Sequence, residues 1–272
     1  MNETQRLQEL WPEARSIHLR SVAQREYYSD STQEEIKKAY YEQISFESSQ
    51  VMEQLHALLA ETHHTQLPYA PFKYLYPWVD LHENRQLKSI YSGTVLDPLT
   101  VIEEDIRIIG EKADGRISEL STEIKLNCEH IVPQSWFGKK EPMKGDLHHL
   151  FACEPACNSK RGNLPYTDFP SYTPEAGIRG ITTGCGMSES GKFEPEYGKG
   201  IAARATLYFY LRYSGIVDIS SRVDLKLLFS WHKEFPVTLY ELHRNAAIHE
   251  LQGNRNPFID HGELLAGNPL FQ

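Results

Sequence analysis

Two short apolar segments and a helical one follow each other between residues 124 and 163 of this 272-residue chain. The first, IKLNCEHIV (124–132), is rich in β-branched and apolar residues and ends at Pro133, which is typical of a strand. HLFAC (149–153) predicts a second strand, and PACNSKRGN (155–163) predicts a short helix that ends near Gly162. The order strand, loop, strand, helix limits the fold to the α+β class.

The flanking regions favour helices. Apolar residues recur at helical spacing over 51–59, and Thr32 followed by Glu35 predicts a capping box at the start of another helix. Residues 166–200, rich in Pro, Gly, Ser and Thr, predict a long ordered loop. Two C-terminal helices are expected, one from about Gly200 to Tyr213 and one from about Trp231 or Thr238 to Leu251.

These elements predict one domain over residues 1–272. Its parts are a mainly helical segment (1–123), the strand–strand–helix unit (124–165), and a loop with C-terminal helices (166–272). The N-terminal residues MNETQRLQELWPEARS resemble no export signal, and no run of eighteen apolar residues occurs. We therefore expect a soluble monomer without membrane contact and favour the cytoplasm. An exported chain whose signal has been removed is the alternative.

The net charge of −9 argues against a general polyanion binder, because a negative surface repels phosphates at long range. The charge is unevenly distributed, since residues 125–212 carry more basic than acidic side chains. This pattern suits a local phosphate-binding groove on an acidic body. Ordinary variation of surface charge explains it equally well.

A carboxylate, an imidazole and an amide lie in the strand–strand–helix unit. Glu129 precedes His130, and Asn158 is followed closely by Lys160 and Arg161. Carboxylate and amide oxygens are hard ligands suited to magnesium or manganese, and histidine is a natural base near neutral pH. Lys160 or Arg161 can neutralise the oxygens of a phosphate. Together these groups point to phosphodiester hydrolysis, although an isolated Glu-His pair on a strand is more often structural.

Four ordered blocks carry a family resemblance: EHIVPQSWFGKKEPMKGDLHHL, NSKRGNLPY, GKGIAARATLYFYLRY and QGNRNPFIDH. The segment YPWVDLHENRQLKSIYSG extends it upstream, so that it covers residues 55–265. These blocks resemble the bacterial endonuclease I family of secreted and periplasmic nucleases.

The resemblance implies a ββα-metal catalytic motif, or His-Me finger, within a mainly helical α+β body. It implies that His130 activates water and that Glu129 and Asn158 hold one magnesium ion. It also implies a nuclease that cuts DNA and RNA with little sequence preference. Because successive strand residues point to opposite faces, Glu129 and His130 share a site only if the strand bends near its end or the metal lies at its edge.

Cationic side chains are the candidates for binding nucleic acid. Lys160 and Arg161 follow the predicted ligand Asn158, and the resemblance adds Arg204 and Arg255. A solvated helix face is the alternative for Arg204, and a structural turn is the alternative for Arg255. Three lysines between the two strands would touch either a distant phosphate or only water: Lys139, Lys140 and Lys144.

The four cysteines leave a structural zinc site, disulfides and free thiols all open: Cys128, Cys153, Cys157 and Cys185. The Cys153 to Cys157 spacing is one residue wider than the commonest zinc knuckle. Because no export signal is visible, disulfides have little support from the sequence either.

The sequence also allows two rival functions. One is a nucleic-acid-binding module that uses a zinc-stabilised finger without cutting, and the other is an intracellular defence or toxin nuclease. The presence of Glu129, His130 and Asn158 together favours a cleaving enzyme.

Overall fold

The computed structural model of the chain describes residues 3–113, 124–174 and 184–266. Within these ranges the architecture is α+β and mainly helical, with small antiparallel sheets. The N-terminal elements are α1 (Glu3–Gln24), α2 (Asp30–Tyr40), α3 (Val51–Thr62), α4 (Pro71–Tyr74) continuing into a π-helical turn (Leu75–Val79), β1 (Leu87–Lys88), β2 (Val95–Leu96) and α5 (Pro98–Ala113). Of the helices described, none has the length and apolar character that crossing a membrane requires.

The predicted strand–strand–helix unit is confirmed. It consists of β3 (Asn127–His130), three 3-10 turns (Gln134–Trp136, Met143–Gly145, Leu147–His149), β4 (Leu150–Cys153) and α6 (Pro155–Arg161). The first strand is shorter than the apolar run that predicted it. Proline in the first turn of α6 costs no internal hydrogen bond, and Gly162 ends the helix with a positive φ of 55°.

The C-terminal part contains a hairpin that the sequence did not predict. Its elements are β5 (Gly186–Glu189), β6 (Lys192–Pro195), α7 (Lys199–Arg212), a 3-10 turn (Ser220–Arg222), α8 (Leu225–Glu234), α9 (Leu239–Gln252), α10 (Pro257–Asp260) and α11 (Gly262–Ala266). Strands β5 and β6 lie inside the predicted loop over 166–200, of which residues 175–183 fall outside the described ranges. Ser190 and Gly191 both have positive φ, which suits a two-residue hairpin turn.

The capping box predicted at Thr32 and Glu35 is wrong. Helix α2 begins at Asp30, and its N-cap Ser29 makes no side-chain capping bond. A capping box is instead present at α9, where Thr238 and Glu241 exchange hydrogen bonds.

Strands β3 and β4 are buried on both faces. One face, with Cys128 and Ala152, packs into a core built from α1, the π-helical turn, α5 and α9. The other face, with Phe151 and Cys153, packs into a second core shared with the first residues of α7. Residues from the N-terminal and C-terminal parts meet in these cores, so the strand pair is held between them.

A buried ion pair fixes β4 to the helices. Arg244 on α9 pairs with Asp80 and donates hydrogen bonds to the carbonyls of Leu147 (2.9 Å) and Leu150 (2.8 Å). The second oxygen of Asp80 accepts from the backbone of Ala152 at 2.6 Å. The Leu147 and Leu150 carbonyls and the Ala152 amide therefore have hydrogen-bond partners without a further strand beside β4.

Asp146 anchors the connection that enters β4. Its Oδ2 accepts from the hydroxyls of Tyr208 and Tyr213 at 2.8 Å, and its Oδ1 accepts from Gln252 at 3.0 Å. Burial alone would raise the pKa of Asp146, but the imidazoles around it and the Gln252 hydrogen bond outweigh burial and hold that pKa well below its usual value. This ionised carboxylate ties the strand unit to α7 and α9.

We expect acid to destabilise the fold through His148, which is buried beside Asp146. Burial lowers the pKa of His148 from 6.5 to about 4, while Asp146 and the carbonyl of Asn254 act in the opposite direction. Below pH 6.5 the unfolded chain binds a proton that the native chain does not, so the free energy of unfolding falls as the pH drops toward 4. One such histidine contributes roughly 2 kcal/mol between pH 7.5 and 5.

Urea unfolding of the wild type and of His148→Gln at these two pH values measures this contribution. The glutamine amide can donate to the Asn254 carbonyl as the imidazole does, but it does not titrate. The variant should therefore lose less stability than the wild type on acidification. Equal losses in the two proteins would contradict the assignment to His148.

Candidate active site

The candidate site is a pocket along the open edge of β3. This strand pairs with β4 on one side only, and α6 runs past its other edge. An open pocket of about 320 Å³ lies there, lined by Tyr69, Asn127, Cys128, Glu129, His130, Pro133, Gln134, Ser135, Asn158, Gly162 and Asn163. The structure thus brings Glu129, His130 and Asn158 to one place, as the sequence predicts.

The edge position explains how two successive strand residues reach one pocket. Glu129 lies opposite Phe151 in the ladder, and His130 lies opposite Leu150. Because Phe151 and Leu150 belong to different cores, Glu129 and His130 leave the strand on opposite faces. The pocket runs along the unpaired edge of β3, where the two faces of the strand meet, so both side chains line it.

Glu129 is held by a tyrosine and an arginine. The Tyr91 hydroxyl donates to Oε1 at 2.6 Å, and Nη1 of Arg161 lies 3.2 Å from the same oxygen. The Tyr166 hydroxyl lies 2.6 Å from that of Tyr91 and must donate to it, because the Tyr91 proton is already committed to Glu129. Burial raises the pKa of Glu129, while the Arg161 charge and the Tyr91 hydrogen bond oppose this rise.

The His130 ring is held in one neutral tautomer. Its Nε2 lies 3.0 Å from the carbonyl of Lys144, which can only accept, so Nε2 carries the proton and Nδ1 carries the lone pair. The Gln134 amide lies 3.2 Å from Nδ1 on the pocket side. Burial is the larger cause that lowers the pKa of His130 to about 3, and the neighbouring His149 is the next. The ring is therefore neutral at neutral pH.

The donor set fits a small divalent cation. Nδ2 of Asn158 lies 3.5 Å from the carbonyl of Cys128, which leaves its Oδ1 as the available oxygen. Within the described ranges, the side-chain contacts of Glu129 fall on Oε1, so Oε2 is its available oxygen. No group of three or more His, Cys, Asp or Glu residues in these ranges is arranged to hold a metal. A pair of hard oxygens completed by water is the coordination that magnesium accepts.

The two cations of α6 lie in different environments. Arg161 is 1% exposed and donates to the carbonyl of Ile131 at 2.6 Å as well as pairing with Glu129. We therefore correct its role, because a buried and paired guanidinium supports the strand edge and is not free to bind substrate. Lys160 is exposed and makes no ion pair within the described ranges.

Arg204 and Arg255 do not lie at the pocket, and the prediction that they bind nucleic acid is wrong. Arg204 forms two hydrogen bonds to Glu241, at 2.6 and 2.9 Å, and is 2% exposed. Arg255 forms two hydrogen bonds to Asp260, at 2.7 and 2.9 Å, and is fully buried. Both are internal ion pairs that stabilise the C-terminal helices, so both guanidinium groups are already paired with carboxylates.

The cysteines do not form a shared zinc site. Cys157 and Cys185 are joined by a disulfide, whereas Cys128 and Cys153 are buried free thiols. The disulfide connects α6, beside Asn158, to the residue just before β5. The sequence left zinc binding, disulfides and free thiols all open, and the structure has one disulfide and two free thiols.

Several residues that shape the site were not predicted. Tyr91 and Tyr166 support Glu129, while Tyr69 stacks on the His130 ring with centroids 5.2 Å apart. Gln134 contacts Nδ1 of His130. Tyr91 and Tyr166 both lie in segments that carry the family resemblance. Nothing in those segments distinguishes a tyrosine that supports the site from an ordinary core residue.

This α+β protein therefore has a candidate active site in which a carboxylate, an imidazole and an amide line one pocket at a strand edge. The model of the endonuclease I family matches residues 48–263, most of the chain, and the chain belongs to that family.

Curated relatives agree with this assignment. An extracellular ribonuclease of Bacillus amyloliquefaciens is 32% identical over 155 residues, covering 50% of this chain and 51% of the relative. An extracellular deoxyribonuclease of Aeromonas hydrophila is 30% identical over 159 residues, covering 50% and 65%. An endonuclease-1 of Buchnera aphidicola subsp. Baizongia pistaciae is 28% identical over 157 residues, covering 50% and 61%. The match therefore spans about half to two thirds of these relatives.

Proposed function

We propose that this protein is a divalent-metal-dependent endonuclease that hydrolyses phosphodiester bonds of DNA and RNA with little sequence preference. In this proposal β3, β4 and α6 act as a ββα-metal, or His-Me finger, motif within a single domain. Magnesium or manganese is the cofactor, held by Glu129 and Asn158. His130 is the general base.

One observation carries the proposal: a histidine whose proton is fixed on Nε2 presents Nδ1 beside two available oxygen ligands. The Lys144 carbonyl sets this tautomer, and the Glu129 carboxylate and Asn158 amide share the same pocket. Nδ1 of His130 contacts the side chain of Gln134, a half-buried residue that itself lines the pocket, so this nitrogen lies on the pocket side of the ring.

The residues of this chain then divide the work of hydrolysis. Nδ1 of His130 takes a proton from the water that attacks phosphorus, while the Lys144 carbonyl keeps the ring in place. When bound, the cation supplies positive charge to the phosphate and to the leaving 3′ oxygen. Tyr91 and Arg161 hold the Glu129 carboxylate, and exposed Lys160 neutralises a neighbouring phosphate oxygen.

The substrate class follows from the relatives and from the absence of base-reading elements. The relatives are named as a ribonuclease and as deoxyribonucleases, so the family accommodates either sugar. In the described ranges we find no recognition helix or RNA-recognition sheet that could read base edges. Contacts to phosphate position a strand without reading its sequence.

A plasmid-nicking assay tests the proposal. Purified protein should convert supercoiled plasmid to nicked and linear forms with magnesium, and a chelator should stop the conversion. A parallel incubation with a single-stranded RNA tests the second substrate. If the protein binds nucleic acid but cleaves none with any divalent metal tested, the correct function is the non-cleaving binding module.

We expect Glu129→Ala and Asn158→Ala each to weaken metal binding, because each removes an oxygen ligand from a site with few of them. The loss should be at least roughly tenfold, since even outer partners of metal ligands contribute that much. Isothermal titration with manganese measures it. Asn163→Ala is the matched control, because Asn163 lines the same pocket without a proposed metal contact. Unchanged affinity in both ligand variants would show that the ligand set is wrong.

A further inference from the structure

The loop between β3 and β4 carries three lysines without carboxylate partners in the described part of the chain. Lys139 and Lys140 are exposed, and Lys144 is half-buried. This contrasts with Arg161, Arg204, Arg244 and Arg255, each of which is paired with a buried carboxylate. On a chain of net charge −9, cations without carboxylate partners are available to an external anion.

The loop backbone is fixed relative to the pocket. The amide of Lys139 donates to the carbonyl of Gln134 at 2.9 Å, and the amide of Lys144 donates to the carbonyl of Lys140 at 3.0 Å. Gly138 and Lys139 both have positive φ, at 67° and 58°, and together turn the chain at this point. The loop is therefore a defined structure that begins at the pocket residues Pro133, Gln134 and Ser135.

The same loop is attached directly to the base. The carbonyl of Lys144 accepts the hydrogen bond from Nε2 of His130, and the ammonium of Lys144 lies 5.5 Å from the centre of the Tyr69 ring. Tyr69 in turn stacks on His130 and lines the pocket. Lys144 is therefore held close to His130 and Tyr69, and Lys139 and Lys140 belong to the same loop.

We propose that Lys139, Lys140 and Lys144 bind the phosphates of the nucleic-acid strand next to the scissile bond. This inference rests on the proposed nuclease function and names the surface that holds its substrate. The lysines replace Arg204 and Arg255, whose burial removes them from this role. Ammonium groups contact phosphate oxygens and not the sugar, so the surface accepts DNA and RNA alike.

Salt dependence of binding tests this surface in the cleavage-deficient His130→Ala background, where the metal ligands remain. Affinity for a short duplex DNA with magnesium is measured over a sodium chloride series, with and without Lys139→Gln and Lys140→Gln together. Each phosphate contact contributes about 0.9 to the slope of log affinity against log salt, so the double substitution should reduce the slope by about 2. Adding Lys144→Gln should reduce it by about 3 in total.

The matched control is the pair Lys38→Gln and Lys233→Gln, which changes the net charge equally on exposed positions of α2 and α8. Its slope should equal that of the background protein. Equal slopes for the loop variant and the background would overturn the inference, as would equal reductions in the loop and control variants. Plasmid nicking by the wild type tests the nuclease function separately. A failure of the nuclease proposal can therefore be distinguished from a failure of the lysine surface.

Discussion

Replacing His130 with alanine is expected to lower the turnover of nucleic-acid cleavage by about 10²- to 10⁴-fold, the loss typical of removing a general base. The Nδ1 lone pair disappears, while the Glu129 and Asn158 oxygens remain in the pocket. Metal affinity should therefore stay near that of the wild type. Single-turnover cleavage of a fluorescent duplex from pH 6 to 8, together with manganese titration, measures both quantities.

His64→Ala provides the control for this substitution. His64 is an exposed histidine that does not line the pocket, so its loss should leave turnover unchanged. Circular dichroism of the His130 variant checks that the ring's contacts with Tyr69 and Phe137 are not needed for folding. Near-normal turnover of the His130 variant across this pH range would remove the residue from the mechanism.

The sequence predicts the central unit well because its signals are local. Pro133 ends the first strand region, a proline lies in the first turn of α6, and Gly162 provides the positive φ that ends the helix. The chemical types at Glu129, His130 and Asn158 are also visible in the sequence. What the sequence leaves open is the geometry that joins them, because an open strand edge depends on which elements pack beside it.

The Arg204 prediction shows why a position on a helix does not by itself establish a binding role. The predicted helix places Arg204 on a helix face, but helical periodicity does not say whether that face meets water or protein. Helix α7 is buried on nearly all sides, and the partner of Arg204 is Glu241, on another helix. An arginine that binds phosphate and one that binds an internal carboxylate have the same local sequence pattern.

The site's support is non-local in the same way. Tyr91 lies 38 residues from Glu129, which it contacts, and Tyr166 lies 75 residues from Tyr91. The disulfide between Cys157 and Cys185 joins two separate predicted segments. Long-range pairings of this kind have no local signature, so they are found only once the chain is folded.

Arg161→Met is expected to lower the free energy of unfolding by about 3–5 kcal/mol, because it leaves the carboxylate of Glu129 buried without its cation. Glu129 is 3% exposed and Arg161 is 1% exposed, so little water contacts the ion pair. The variant also loses the hydrogen bond to the Ile131 carbonyl at the end of β3. Urea unfolding at pH 7.5 measures the change.

Two further variants separate the ion pair from other effects of the Arg161 substitution. Lys160→Met removes the adjacent exposed cation and should change stability by no more than about 0.5 kcal/mol. Glu129→Gln in the Arg161→Met background removes the unpaired charge, so it should recover part of the lost stability. If Arg161→Met unfolds within about 1 kcal/mol of the wild type, the pair does not hold the strand edge. Glu129 would then be positioned by Tyr91 and Tyr166 alone.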